Sequence, residues 1–122
     1  MHELSICQAL IVEVEAVATA NGAGLVTDIF VKMGPLSGVE PPLMRSAFPL
    51  AAAGTVAADA TLHLRQTPIR VRCSSCGAES EARVNRLVCK RCGDWRTKLV
   101  SGDELLLQRI EMRTDREELE NV

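Results

Sequence analysis

The sequence predicts an α+β fold: a small mixed three-stranded sheet with two helices, plus an inserted four-cysteine zinc-binding module. Three observations predict it. Apolar residues recur at helical spacing over the first twenty positions, and three later segments alternate as strands do. Between the second and third of these lies Cys73-x2-Cys76-x12-Cys89-x2-Cys92, four thiols at metal-clamp spacing.

The elements follow in order. Residues 3–20 read as a helix, with Ile6, Leu10, Val14 and Val17 on one stripe and Ser5 and Gln8 placed as a capping box. Asn21-Gly22 and Gly24 stop it. Residues 25–33 read as a strand with Leu25, Ile29, Val31 and Met33 on one face. A loop through Gly34-Pro35 and Gly38 leads to a second helix, which begins near Glu40 with Pro41 in its first turn. Met44, Ala47, Phe48 and Ala51 line its buried side. Pro49 lacks an N–H for the carbonyl of Arg45, so a kink or break is expected there. Gly54 closes it. Residues 60–71 read as extended, with Leu62 and Leu64 inward. Residues 103–113 form the last strand, with Leu106, Ile110 and Met112 on one face and Leu105 and Leu107 on the other.

Each Cys-x2-Cys pair can clamp an ion with closely spaced thiolates. Two pairs joined by a short loop make a closed tetrahedral shell, the usual home of structural zinc. Disulfides are the competing reading and would need an oxidising compartment. The amino-terminal stretch carries Glu3, Glu13 and Glu15 and no Lys or Arg before Lys32, unlike a signal peptide. No apolar run approaches the roughly 20 residues needed to span a bilayer. A cytoplasmic protein with reduced thiols is expected.

The opposite end offers a second metal candidate. The chain starts Met1-His2-Glu3-Leu4-Ser5, and histidine is too large a second residue for ordinary methionine removal. The Met1 amine, the amide nitrogens of residues 2 and 3 and the His2 imidazole can converge as a square-planar set of four nitrogens. That geometry favours Ni(II) or Cu(II) over zinc. Glu3 can add a carboxylate or hold the imidazole. Any chain can carry a histidine at position 2, so this reading stays open on residues alone.

Composition bounds the rest. A chain of 122 residues is one domain, or one with a small appendage. With two Phe, one Trp and no Tyr, its core must be aliphatic. The net charge of −2 gives no overall pull toward nucleic acid or membrane. Between Arg70 and Lys98, however, eight basic residues face three acidic ones. The domain reading is therefore 1–70 with 97–118 as an α+β domain carrying the amino-terminal metal candidate, 71–96 as a zinc-binding insertion, and 119–122 as a frayed tail.

The opening Met-His-Glu-Leu-Ser, the four-cysteine spacing, Gly102-Asp103-Glu104-Leu105 before the last strand, and Phe48 with Gly54-Thr55 together resemble the HypA/HybF family nearly end to end. Such proteins are nickel metallochaperones for [NiFe]-hydrogenase maturation and, in some bacteria, for urease. The resemblance implies His2 as nickel ligand with the Met1 amine and Glu3 beside it, and Cys73, Cys76, Cys89 and Cys92 as zinc ligands. It also implies a partner GTPase and the hydrogenase large-subunit precursor as recipient. A monomer or weak homodimer is expected, and with no nucleophile–base pair, phosphate loop or open zinc position in the sequence no enzyme is expected. Cys89-Lys90-Arg91-Cys92 departs from relatives that often have proline after the first cysteine; the ligands stay intact.

Three further residues are read plainly: Cys7 as a small apolar packing residue, His63 as an exposed strand residue, and Trp95 as a cover over the cysteine module. The basic residues around the cysteines compensate the −2 charge of a Zn(Cys)4 centre or present a surface to an acidic partner. The alternative to a metallochaperone is a zinc-ribbon nucleic-acid-binding module, or a scaffold for protein assembly. Overall acidity and few aromatic residues count against nucleic acid.

Overall fold

The computed structural model describes residues 2–114. The expectations for the Met1 amine and for the tail at 119–122 lie outside the described residues. Helix α1 spans His2–Ala20, strand β1 Ala23–Met33, helix α2 Pro41–Ala52, and strands β2 Thr61–Gln66, β3 Arg70–Cys73, β4 Glu79–Glu81, β5 Thr97–Ser101 and β6 Leu105–Thr114.

The strands form two sheets, ordered β2-β1-β6 and β4-β3-β5. The first is mixed. β6 runs against β1, because Gly34 N donates to Glu104 O (2.9 Å) while Thr27, earlier in β1, reaches Glu111, later in β6. β1 and β2 run alike, joined through α2, since parallel neighbours need such a crossover. The second sheet is antiparallel throughout. The extended reading of 60–71 splits into β2 and β3, which belong to different sheets, and β4 and β5 were not legible as strands.

The chain divides into two compact units, Lys32–Gly38 with Arg65–Leu106, and the remainder. In the unit that carries both helices, α1 packs on α2. Its core holds Cys7, Leu10, Ile11, Val14 and Ala18 of α1, Met44, Phe48 and Ala52 of α2, and Val26, Ile29 and Val31 of β1. Each fully buried Val, Ile or Met here stabilises by roughly 1.5–3 kcal/mol. In the other unit Ile69, Val71, Cys73 and Cys89 are buried.

Several local expectations shift. α1 starts at His2, so Ser5 lies inside the first turn instead of at the cap. Its buried stripe runs through Cys7, Ile11 and Ala18 beside Leu10 and Val14, leaving Ile6 and Val17 half-buried. α2 has Glu40 as its N-cap and Pro41 at its start, as expected. It is not broken at Pro49 but continues to Ala52, where Ala53 N donates to Pro49 O (3.1 Å). Phe48 and Ala52, buried on either side of the proline, hold the last turn in place. In β1 the buried phase slips, with Val26 inside and Leu25 half-buried. The Val26 amide donates to Val56 O (2.9 Å). Leu106 is 55% exposed.

Candidate metal centres

The four cysteines converge. Their sulfurs all lie within 4.8 Å of one another, with Cys73–Cys92 at 3.5 Å and Cys76–Cys89 at 3.6 Å. A tetrahedral ion with metal–sulfur bonds of about 2.3 Å would set its sulfurs about 3.8 Å apart, so the donors fit such an ion with little movement.

Local sequence explains the convergence. β3 ends in Cys73, and the chain then turns so that Gly77 N donates to Cys73 O (3.0 Å). The amides of Ser75 and Cys76 both point at the Cys73 sulfur (3.4 Å each). The second pair repeats the turn, with Gly93 N donating to Cys89 O (2.8 Å) and Cys92 N to the Cys89 sulfur (3.4 Å). Both turns close on a glycine with φ near +75°, Gly77 at 74° and Gly93 at 77°, a conformation a side chain would resist. The shared Cys-x2-Cys-Gly pattern is the sequence signal for these paired turns.

The electrostatics suit a cation. The amide of Cys92 leads the causes that pull the Cys89 thiol down to about 6. Cys92 is drawn down by the backbone at Asp94, yet its Cys73 neighbour, desolvation and the other thiols together push it up to about 12. Four crowded thiols cannot all ionise on their own; a bound cation removes that conflict.

Asp94 was missed in the sequence. Its carboxylate accepts from the Arg96 guanidinium (3.0 and 3.2 Å), from Arg96 N (2.9 Å) and from Ser75 Oγ in the first turn. These donors, Arg96 first, hold Asp94 far below the usual carboxylate range. One residue thus ties the two cysteine turns together. Arg96 is raised chiefly by Asp94, with Cys73 and Cys92 adding a smaller favourable charge interaction. Trp95 is 76% exposed and does not cover the centre, contrary to expectation; the Arg96 guanidinium sits 6.0 Å from its ring centroid.

At the other candidate, His2 and Glu3 form the start of α1, with His2 Nδ1 3.7 Å from Glu3 Oε2. The imidazole is 64% exposed, whereas the Glu3 side chain is 12% exposed. The Glu3 carboxyl is lowered from its ordinary value by its own backbone N–H, with the Glu40 backbone and His2 assisting. Glu3 is therefore anchored against the start of α2, and His2 is free to bind. The first amides of a helix have no intrahelical acceptor, so a metal that displaces their protons breaks no helical hydrogen bond. Cys7 is fully buried and donates to Met44 O (3.6 Å); burial raises its thiol. It packs, as expected. His63 bonds Asp28 Oδ1 (2.7 Å) and stacks on Phe30, with centroids 4.4 Å apart. Among the described residues, the four-cysteine cluster alone brings three or more ligand groups together.

Comparison with known proteins agrees with this arrangement. Residues 1–112 match the family described as hydrogenase/urease nickel incorporation, metallochaperone, hypA. The chain belongs to the HypA family. The hydrogenase maturation factor HypA of Nitrosospira multiformis is 46% identical over 114 residues, covering 93% of this chain and 99% of the relative. That of Aquifex aeolicus is 39% identical over 115 residues, covering 94% and 100%. The solution structure of the Ni metallochaperone HypA from Helicobacter pylori superposes with a TM-score of 0.70 at 25% identity, covering 93% of this chain and 98% of that one. The HypA fold, two helices with a three-stranded mixed sheet and a four-cysteine cluster, is thus this chain's fold.

Proposed function

We propose that this HypA protein binds Ni(II) at its amino terminus, through His2 with the Met1 amine, neighbouring amides and Glu3, and delivers it to the [NiFe]-hydrogenase large-subunit precursor. Urease is a further recipient class. A partner GTPase performs the hydrolysis that drives delivery; this protein is a carrier and not an enzyme, and it works in the cytoplasm. Cys73, Cys76, Cys89 and Cys92 hold Zn(II). The zinc-binding insertion is 71–96, and the nickel-binding α+β domain is 1–70 with 97–118.

The observation that carries the reading is the exposed His2 imidazole at a helix start whose amides have no helical acceptor. A carrier must hold its cargo selectively and let it go, and a terminal surface site exchanges ligands more readily than a buried cage. A shell of four thiolates has no open position for substrate, so zinc there supplies structure. Because nickel displaces amide protons, its binding strengthens as pH rises.

The test is titration of Ni(II) into untagged, zinc-loaded protein and its His2→Ala variant, followed by calorimetry and the d–d absorption band. The native chain takes up one nickel with a planar, diamagnetic spectrum, and the variant does not. Equal binding by both would sink the site. An amino-terminal tag abolishes nickel binding and leaves zinc content unchanged.

A further inference from the structure

The modest net charge of −2 conceals a separation. The unit Lys32–Gly38 with Arg65–Leu106 carries ten basic and five acidic side chains, a net of +5. The rest of the chain carries four basic and eleven acidic, a net of −7, and together the two give −2. A four-thiolate zinc centre with its formal −2 would leave the basic unit well positive.

Of the ten cations in that unit, two are ion-paired among the described residues and eight are not. Arg72 is paired with Glu79, and Arg96 with Asp94 while it faces Cys73 and Cys92. Arg83, Arg86 and Lys90 make no ion pair among the described residues and are exposed. They line one cleft of about 370 Å³, with Glu81 at its edge and Ala82 and Val88 in its wall.

Arg83 and Arg86 also face each other across a tight turn, with Arg86 N donating to Arg83 O (3.0 Å) and the two forming an antiparallel bridge. Residues directly opposite in such a bridge project to the same side, and like charges there repel. Two guanidiniums and an ammonium thus share one cleft with the single carboxylate of Glu81, an excess of positive charge that an entering anion would offset.

We propose that this cleft docks an acidic segment of a partner protein, in which carboxylates flank a small aliphatic side chain. The carboxylates pair with Arg83, Arg86 and Lys90; the aliphatic group lies on Ala82 and Val88. The guanidiniums favour carboxylates in a fork geometry that a simple ion does not exploit. A nucleic acid fits less well. No aromatic residue lines the cleft, so the strongest base-stacking platforms are missing from it. The proposal is independent of nickel at His2.

The test uses the full-length, metal-loaded protein and a fluorescein-labelled peptide, Gly-Glu-Glu-Val-Glu-Glu-Gly, with anisotropy as readout. Binding should weaken about tenfold or more between roughly 50 and 300 mM salt. The triple variant Arg83→Gln, Arg86→Gln, Lys90→Gln should lose at least about tenfold in affinity. A matched triple, Arg45→Gln, Arg65→Gln, Arg113→Gln, removes the same charge elsewhere and should lose less than about twofold. Metal content and nickel uptake should be unchanged in the first triple, and its melting temperature should not fall. Equal losses in both triples would reduce the effect to net charge and overturn the site. So would no peptide binding by the native chain, or tighter binding of a labelled uridine 12-mer than of the peptide. Salt-sensitive self-association that the first triple abolishes would replace the partner by a second copy of this chain, and so overturn it too.

Discussion

Gly34 sits where β1 ends against the turn at Gly102, and a single methyl group there should be costly. A Cβ on Gly34 would stand 2.0 Å from the Gly102 carbonyl oxygen and 2.1 Å from its carbon. Ordinary carbon–oxygen contact is about 3.3 Å, so the two backbones must separate by about 1.3 Å. Neither contact is the far end of a flexible side chain, and nothing can rotate away. The separation pulls apart Gly34 N–Glu104 O (2.9 Å) and Leu36 N–Gly102 O (2.7 Å). At about 1 kcal/mol for each hydrogen bond, plus residual strain, Gly34→Ala should destabilise by about 2–4 kcal/mol. Urea unfolding of the metal-loaded protein, with amide exchange at Leu36, measures this. A loss below about 1 kcal/mol with the Leu36 amide still protected would refute the close-approach argument.

Other outcomes follow from the same structure. Cys76→Ser should abolish tight zinc binding and near-UV signals of the Lys32–Gly38 and Arg65–Leu106 unit; helical circular dichroism should largely persist, because α1 and α2 lie outside it. Cys7→Ala should cost about 1 kcal/mol in urea and leave nickel stoichiometry unchanged, since the thiol is buried against Met44. Asp94→Asn should speed zinc loss to a chelator without changing stoichiometry, because Asp94 joins the two cysteine turns without being a ligand. The His63 hydrogen bond, first among its causes, lowers the folded pKa of Asp28 below its ordinary value. Its stabilisation is therefore present above the ordinary carboxylate pKa near 4 and is lost as pH falls through the folded value. Asp28→Asn should lower the urea midpoint at pH 7 and have no such effect at a pH below both values.

Much of the fold was legible because local rules and global packing agree. Pro41 after Glu40 and the closing glycine bounded α2, and the stripe of Met44 and Phe48 is buried as its spacing requires. Where local rules conflicted with packing, packing won. Pro49 reads as a break, yet its buried neighbours carry the helix past it. Trp95 reads as a cover because large aromatic residues are usually buried, but the cysteine turns are satisfied by amides and by Asp94 and need no lid. The strands β4 and β5 are short and mostly exposed, so they carry little hydrophobic alternation to read.

The sequence by itself determined the four-thiol shell and the terminal histidine, since ligand type and spacing are chemical facts that survive any arrangement of the chain. It determined the family as well, through motifs at both ends and the middle. Only the tertiary structure decided that β2 and β3 part company into two sheets, that Asp94 bridges the cysteine turns, and that Arg83, Arg86 and Lys90 share a cleft while Arg96 pairs with Asp94. Those outcomes depend on which hydrogen-bond and charge partners reach one another across sequence gaps, and such distances are set by packing and not by local pattern.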